Sequence, residues 1–274
     1  LLSTSDAALP ICEFIRLHCP MFLNCHTAFS FKYGTLTVQR LFDEAKKHGV
    51  HKLILTEINN TASYIEMLRV CQENKPVHAD KLTIFNETGF DLEIGLGIEF
   101  RQENELYYIA IAKTNAGFEK INRFLSYHNL ENKPFPKRAP ELEDTFIIYP
   151  YGKADADELR PNEFIGVRKH QLTQYTFLPT RKTHPDKFVI HHPVTFVTKS
   201  DFNVHRLLRS IGLNTLLSKL PPHEQALPEE VMMAEEELQN QYRDFPELIR
   251  NTQRVLNKCH IEFELGTDKN KKNI

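Results

Sequence analysis

The chain has 274 residues, of which 41% are hydrophobic and 26% are charged, as is usual for a soluble globular protein. Its formal net charge of −2 argues against a surface built mainly to bind nucleic-acid phosphates, because such binding depends on an excess of Lys and Arg. No apolar run of the sequence approaches the roughly 18 residues of a membrane span, which excludes an integral membrane protein.

The first twenty residues stand apart from the rest. They contain no Met, carry a Pro at each end of their apolar stretch, and lack the basic start and small-residue cleavage site of a signal peptide. Met21 comes directly before the first predicted strand. We therefore expect residues 1–20 to be an upstream extension or a non-native segment, and the domain itself to begin at Met21.

The cysteines predict the compartment. There are five of them, an odd and scattered set without a CxxC pair, which favours a reducing compartment and no disulfide framework. A cytoplasmic protein is the simplest interpretation. The five are Cys12, Cys19, Cys25, Cys71 and Cys259.

After Met21, short apolar runs alternate with helical patterns. The first half is predicted to contain a strand at 22–25, a helix at 36–47 that stops at Gly49, a strand at 52–56, and a helix at 61–73 with Ile65, Leu68 and Val70 facing inward. The rest is predicted to contain a strand pair at 92–100 and 106–112, a helix at 115–127, buried runs at 145–149, 164–167 and 187–192, a helix at 201–217, and two helices within 229–258 that are separated near Asp244 and Pro246.

Repeated strand-then-helix units imply a parallel sheet with helices outside, because parallel neighbours need a crossover connection. Seven or so strands over about 240 residues favour closure into a barrel. An open doubly wound sheet is the alternative, but no GxGxxG follows the first strand.

Polar side chains follow several of the predicted strands, at the end of a barrel where active sites gather. The first strand leads to Asn24 and His26, the second to Glu57, a later one to Glu99, and a late one to the pair His191 and His192. Imidazoles and carboxylates that converge from separate strands are the ligands of a hydrolytic metal centre, which also needs an open position for water.

Four segments, "NCHTAFS", "LILTEINNT", "EIGLGIEFR" and "IAIAKTNAGFEKINRFLS", resemble the motifs of the PHP (polymerase and histidinol phosphatase) domain family in order and spacing. The chain is most similar to the version at the amino terminus of bacterial DNA polymerase III alpha subunits. The resemblance implies an α/β fold, a distorted (β/α)7-type barrel over residues 21–265, with 266–274 as a linker toward a polymerase domain.

The resemblance also shows where this chain departs from the family. Only His26 and Glu99 keep family ligands, and Glu57 replaces an Asp while carrying its carboxylate about 1.5 Å further out. Metal-ligand distances must hold to about ±0.2 Å. The departures are Asn24-x-His26 for His-x-His, Glu57-Ile58 for Asp-His, and Pro193-x-Thr195 for Asp-x-His.

We therefore expect no catalytic residues and no cofactor, apart from a weakly held Zn²⁺ or Mn²⁺ on a vestigial site of His26, Glu57 and Glu99. Two interpretations of these residues stay open: His26 is a ligand or a hydrogen-bonded filler. Glu57 and Glu99 repel each other unless one is protonated or pairs with Lys113 or Arg101. Of His191 and His192, at most one can face the pocket, since adjacent strand residues point to opposite faces.

By resemblance, the expected function is that of a structural and interaction module in DNA replication, part of a DNA-directed DNA polymerase but itself inactive. Its expected partners are the remainder of the alpha subunit and a proofreading exonuclease subunit, with DNA contacted only through the full polymerase and no membrane contact. The alternative is an active metal-dependent phosphoesterase or 3′–5′ exonuclease that uses His26, Glu57, Glu99 and one of His191 or His192.

Overall fold

The structure is a computed structural model that describes residues 21–74 and 90–262. The predicted extension at 1–20 and the predicted linker at 266–274 lie outside these residues. The strands within them are β1 (Phe22–Cys25), β2 (Lys52–Ile58), β3 (Glu93–Gln102), β4 (Glu105–Ala112), β5 (Thr145–Pro150), β6 (Glu163–Val167), β7 (Phe188–Ile190) and β8 (Pro193–Val194). The helices are α1 (Val38–His48), α2 (Tyr64–Glu73), α3 (Asn115–Leu130), α4 (Leu172–Thr176), α5 (Thr180–Thr183), α6 (Lys199–Gly212), α7 (Glu235–Gln241) and α8 (Pro246–Asn257).

The strands form one sheet in the order β7-β6-β5-β4-β3-β2-β1-β8. Its two edge strands, β7 and β8, are separated in sequence by only His191 and His192, so the two edges meet at one continuous extended segment. The sheet therefore curls into a distorted barrel, which confirms the predicted fold class. The pairing is mixed, because β4 runs antiparallel to both β3 and β5.

A bulge in β1 places polar chemistry inside the barrel. Phe22 pairs with Leu53 and Cys25 with Leu55, so three steps along β1 match two along β2. Such a bulge re-aims side chains. Leu23 consequently packs with the inner apolar residues, while the next residue, Asn24, also contacts inner side chains.

The amino end of the barrel is filled by apolar side chains and closed by α8. The ammonium of Lys52, at the start of β2, donates to the carbonyl of Cys259, 2.8 Å away, which locates the segment after α8 at this end. The polar residues at the opposite end of the barrel thus lie above a layer of buried apolar side chains, which we call the apolar floor. The apolar floor consists of Leu23, Ile54, Ile109, Ile111, Phe146, Ile148, Phe164, Val189, Val255, Leu256 and Cys259.

Helix α1 follows its predicted pattern, whereas α2 departs from it at Ile65. Helix α1 begins after the N-cap Thr37 and ends at Gly49, whose φ of 66° suits glycine, as predicted. The predicted burial of Ile65 is wrong, because its side chain is 51% exposed while Met67 is buried. The two residues lie about 200° apart around the helix, so α2 packs through the Met67 face.

The carboxyl-terminal part contains the two predicted helices, α7 and α8, separated around Asp244. The predicted region 229–258 is not helical from its start, since α7 begins only at Glu235. Val231 forms a bridge with Phe196, which holds this stretch in an extended conformation. Within the described residues, no helix has the length and apolar character needed to cross a membrane.

Candidate functional site

A polar cluster lies inside the barrel, above the apolar floor. We call it the inner cluster. Each of its side chains belongs to a residue that is no more than 6% exposed, so water reaches none of them freely. Its members are Asn24, His26, Thr56, Glu99, Arg101, His191 and Thr195.

Glu99, on β3, is the centre of the inner cluster. Its Oε2 accepts hydrogen bonds from Asn24 Nδ2 at 2.7 Å and from His26 Nε2 at 3.0 Å. Its Oε1 accepts a hydrogen bond from Arg101 Nε, two residues along the same strand. Both oxygens of the carboxylate are therefore engaged by protein donors.

These contacts keep Glu99 ionised although it is buried. Burial alone would raise the pKa of this carboxyl, but the guanidinium of Arg101 and the hydrogen bonds from His26 and Asn24 hold the pKa well below its ordinary value. The buried charge is thus compensated by an ion pair with additional hydrogen bonds, the condition under which a buried carboxylate is tolerated.

The side-chain amide of Asn24 is hydrogen-bonded through both its nitrogen and its oxygen. Its amide nitrogen donates to Glu99 and to His191 Nε2, the latter at 3.1 Å, and its Oδ1 accepts from Thr56 Oγ1 at 2.8 Å. The opposite amide orientation would set Oδ1 against the Glu99 carboxylate, two acceptors with no proton between them. At the position where the resemblance implies a histidine ligand, this chain therefore has a hydrogen-bond donor.

Arg101 is held on all sides. Besides its bond to Glu99, its guanidinium lies 4.3 Å from the centre of the Tyr33 ring and donates to the Tyr33 hydroxyl at 3.2 Å. The same guanidinium donates to Asn104 Oδ1 at 3.2 Å. The Asn59 side chain bonds both the N–H and the carbonyl of Arg101, at 2.9 and 2.8 Å. Such a stacked and forked arrangement fixes a planar cation.

His26 links the inner cluster to a second buried ion pair. Its Nδ1 lies 3.2 Å from Thr195 Oγ1, which donates to Glu230 Oε2 at 2.8 Å. Glu230 in turn accepts from Arg168 at 2.8 Å. Burial would raise the pKa of Glu230, but Arg168 and the Thr195 hydrogen bond lower it. The histidine is thereby packed between two compensated carboxylates.

Glu57 does not join the inner cluster. In the β2–β3 register Glu57 pairs with Ile98 and Ile58 with Glu99, so the two carboxylates point to opposite faces of the sheet. Glu57 accepts hydrogen bonds from the Thr27 N–H, the hydroxyls of Thr27 and Ser30, and the Ser63 hydroxyl. The expected repulsion between Glu57 and Glu99 therefore does not arise, and Glu57 joins the loop after β1 to the start of α2.

The two adjacent histidines point in different directions, as predicted. His191 faces Asn24, whereas His192 Nε2 lies 2.8 Å from the carbonyl of Val231. Because Asn24 donates to Nε2 of His191, the proton of that ring sits on Nδ1, which has no protein partner among the described residues. A cavity of about 20 Å³ beside it, also lined by Arg168 and Glu230, is large enough for one water.

Neither Cys25 nor Lys113 belongs to the inner cluster. Cys25 is fully buried on the outer face, and burial together with the nearby Glu57 raises the pKa of its thiol, so it is a core residue and no nucleophile. Lys113, considered as a partner for Glu99, instead lies 4.3 Å from the ring centre of Phe146. Arg101 is the partner.

The carboxyl end of the barrel, above the inner cluster, is covered by a group of residues that we call the lid. Its core contains Tyr33, Phe196 and Ala226, all no more than 5% exposed. His205, on α6, holds it together: its Nδ1 contacts the Tyr33 carbonyl at 2.7 Å and its Nε2 accepts from the Ala226 N–H at 2.9 Å. A substrate could reach the inner cluster from this side only if the lid moved.

The lid makes stability depend on pH. Burial lowers the pKa of His205 below its ordinary value of about 6.5, although the Tyr33 carbonyl opposes the shift. The unfolded chain then binds more protons near that pH, so we expect stability to fall as the pH decreases below about 6.5. Denaturant unfolding at pH 7.5 and 5.5 measures the loss. His205→Gln should reduce the difference between the two pH values, and an unchanged difference would contradict this role.

The residues present do not fit a resident metal ion. Within residues 21–74 and 90–262, no group of three or more His, Cys, Asp and Glu side chains is arranged to hold one. More tellingly, Arg101 places a cation against the Glu99 carboxylate, Asn24 presents an N–H to it, and Glu57 faces the other side of the sheet. A metal would compete with these donors for the same lone pairs.

Sequence reasoning missed part of this site. Arg101 is one of the two cations that the sequence offers as a partner for Glu99, and residues two apart on a strand share a face. Glu230 is the residue that was missed, because it stands in an acidic stretch that is typical of a solvated surface. It is 2% exposed because the extended stretch around Val231 carries it to Arg168.

Residues 23–157 match the family model of the PHP domain. The DNA polymerase III alpha subunits of Neisseria meningitidis serogroup A and of Bacillus subtilis are each 20% identical, over 274 and 282 aligned residues that cover 89% of this chain. The chain spans about a quarter of the length of these relatives, 24% and 23%.

Among solved structures, the chain is similar to a crystal structure from Bifidobacterium adolescentis that is described as a metal-dependent phosphoesterase. The match covers 82% of this chain and 96% of that one, at 12% identity. Its TM-score of 0.29 is too low to support a shared function.

Proposed function

We propose that this chain, which carries a PHP domain over residues 23–157, is the amino-terminal part of a bacterial DNA polymerase III alpha subunit. In this proposal its metal site is degenerate, and the domain works in the cytoplasm as a structural and interaction module of the replicative polymerase. Nucleotidyl transfer would belong to a polymerase region outside the chain, and contact with a proofreading exonuclease subunit is part of the same proposal.

One observation carries the proposed loss of metal chemistry. The carboxylate of Glu99, which the PHP resemblance makes a metal ligand, is bound on one oxygen by Arg101 and on the other by Asn24 and His26. A hydrolytic metal centre needs ligand lone pairs and an open position for water. Here the lone pairs are taken by donors, and the lid stands over the position where a substrate would enter.

A phosphoesterase assay tests this proposal against the enzymatic alternative. The purified chain is incubated with p-nitrophenyl phosphate and with a single-stranded oligonucleotide in the presence of Mn²⁺ or Zn²⁺. We expect the wild-type chain and the His26→Ala variant to show the same background. Metal-dependent hydrolysis that disappears in His26→Ala would establish the enzymatic function instead.

A second observation supports the interaction role. Helix α6 buries His205 and Ser210, while the apolar residues Val204, Leu207 and Ile211 on its outer side are 46%, 49% and 58% exposed. Exposed apolar side chains that lie together on a surface often mark an interaction site. The chain spans only about a quarter of the length of the relatives that match it. We propose that the polymerase region of such a longer protein covers the outer face of α6.

The outer face of α6 yields a mutational prediction. Leu207→Glu combined with Ile211→Glu should leave the free energy of unfolding unchanged within about 0.5 kcal/mol, because both side chains face solvent. Binding of the polymerase region, supplied separately and measured by calorimetry, should weaken about tenfold or more. Leu130→Glu is the control, since Leu130 is 85% exposed on α3. Equal weakening by the control would contradict the assignment of the surface.

A further inference from the structure

The inner cluster has the properties of a cation site, although it does not suit a metal. Glu99 is fully buried and ionised, and its nearest neighbours on Oε2 are the side chains of Asn24 and His26. A buried carboxylate needs a counter-charge close by, because burial without one is costly. We infer that Arg101 is a built-in cation that has replaced a metal ion, and that the site now selects a planar guanidinium group.

The structure around the guanidinium supports this selectivity. The central carbon of the group lies 4.3 Å from the centre of the Tyr33 ring, a contact that suits a flat, weakly hydrated cation. Its edge is bound by three oxygens, those of the Glu99 carboxylate, the Tyr33 hydroxyl and the Asn104 side chain. A metal ion would need several lone pairs converging on one point, whereas these three acceptors each bind a different nitrogen of the guanidinium.

The backbone of Arg101 is also held in place. Asn59 bonds both backbone groups of Arg101, and β3 places Glu99 two residues earlier on the same face. The walls of the site therefore belong to the fold and do not depend on the arginine side chain. Removing that side chain should leave a space with the shape and charge preference of guanidinium.

This inference deepens the proposed function and rests on its degenerate metal site, but it is tested without measuring activity. The full 274-residue chain is prepared with Arg101→Ala, and its thermal unfolding midpoint is measured with guanidinium chloride at millimolar concentrations, far below those that denature. The midpoint of the variant should lie roughly 10 °C below that of the wild type. Saturating guanidinium should restore about 3 °C, whereas equal NaCl should not.

Matched controls identify the site. Arg168→Ala removes the arginine of the other buried pair, with Glu230, which has no ring stacked on it among the contacts described for Arg168. Guanidinium should not raise the unfolding midpoint of Arg168→Ala, nor that of the wild type. Arg101→Gln, which keeps more of the side-chain volume, is titrated in parallel so that a folded variant is available.

Two results would overturn the inference. One is a folded Arg101 variant whose midpoint responds to guanidinium no more than to NaCl. The other is a variant that Mn²⁺ or Zn²⁺ stabilises as strongly as guanidinium, which would make the space a metal site that the arginine merely blocks. Either result leaves the phosphoesterase assay on the wild-type chain unaffected, so a failure here is distinguishable from a failure of the proposed function.

Discussion

Replacing Glu99 by Gln is expected to lower the free energy of unfolding by about 3–5 kcal/mol. Glu99 is fully buried, and the substitution leaves the buried guanidinium of Arg101 without its counter-charge. The loss comes from the arginine that remains and not from the glutamine, which has nearly the same volume. Urea unfolding followed by circular dichroism measures it.

Glu105→Gln is the matched control for Glu99→Gln. Glu105 also pairs with a cation, Lys153, but at the exposed surface, where the gain from an ion pair is small. The control should leave the unfolding midpoint unchanged. If Glu99→Gln cost no more than the control, Glu99 and Arg101 would not form the stabilising pair described above.

The pH dependence of the same pair has a defined sign. Because the pKa of Glu99 in the folded protein lies well below its ordinary value of about 4.5, the unfolded chain binds the proton first as the pH falls. The stability from this pair is therefore present above about pH 4.5 and is lost below it. Glu99→Gln should remove this part of the acid sensitivity.

Glu57→Ala is expected to cost a similar amount, about 3–5 kcal/mol, for a different reason. The carboxylate of Glu57 accepts from the hydroxyls of Thr27, Ser30 and Ser63, and its removal leaves several buried donors without an acceptor. Each unsatisfied buried donor costs about 1–3 kcal/mol. Hydrogen exchange should show faster opening of the loop at 27–30.

Glu57→Gln separates this structural role from a role in metal binding. The amide keeps an acceptor oxygen, and the hydroxyls can rotate to accept from its N–H groups, so the loss of stability should be clearly smaller than for Glu57→Ala. Neither variant should change the affinity of the chain for Zn²⁺ or Mn²⁺. A drop in metal affinity in both would place Glu57 among the ligands after all.

The barrel was predictable because its signals are local. Apolar runs separated by helical patterns located most strands within one or two residues, and the glycine after α1 marked a helix end that the structure confirms. Ile65 shows where local signals fail. The buried face of α2 is decided by the residues that pack against Met67, and these lie outside the helix.

The candidate site was predictable only in part. That Asn24, His26, Glu99 and His191 converge follows from strand ends meeting at one end of a barrel, as predicted. That Glu57 does not lie with them could not be predicted without the register of β2 against β3, where a shift of one residue decides the face. The burial of Glu230 required the path of a long connection, which no local pattern gives.

Metal analysis of the native chain tests the central claim most directly. The chain is purified in buffers containing Zn²⁺ and Mn²⁺, passed through gel filtration, and measured by mass spectrometry for bound metal. If Arg101 supplies the cation of the inner cluster, the wild-type chain emerges without a stoichiometric tightly held ion. Two ions retained per chain, and lost on His26→Ala, would contradict the account.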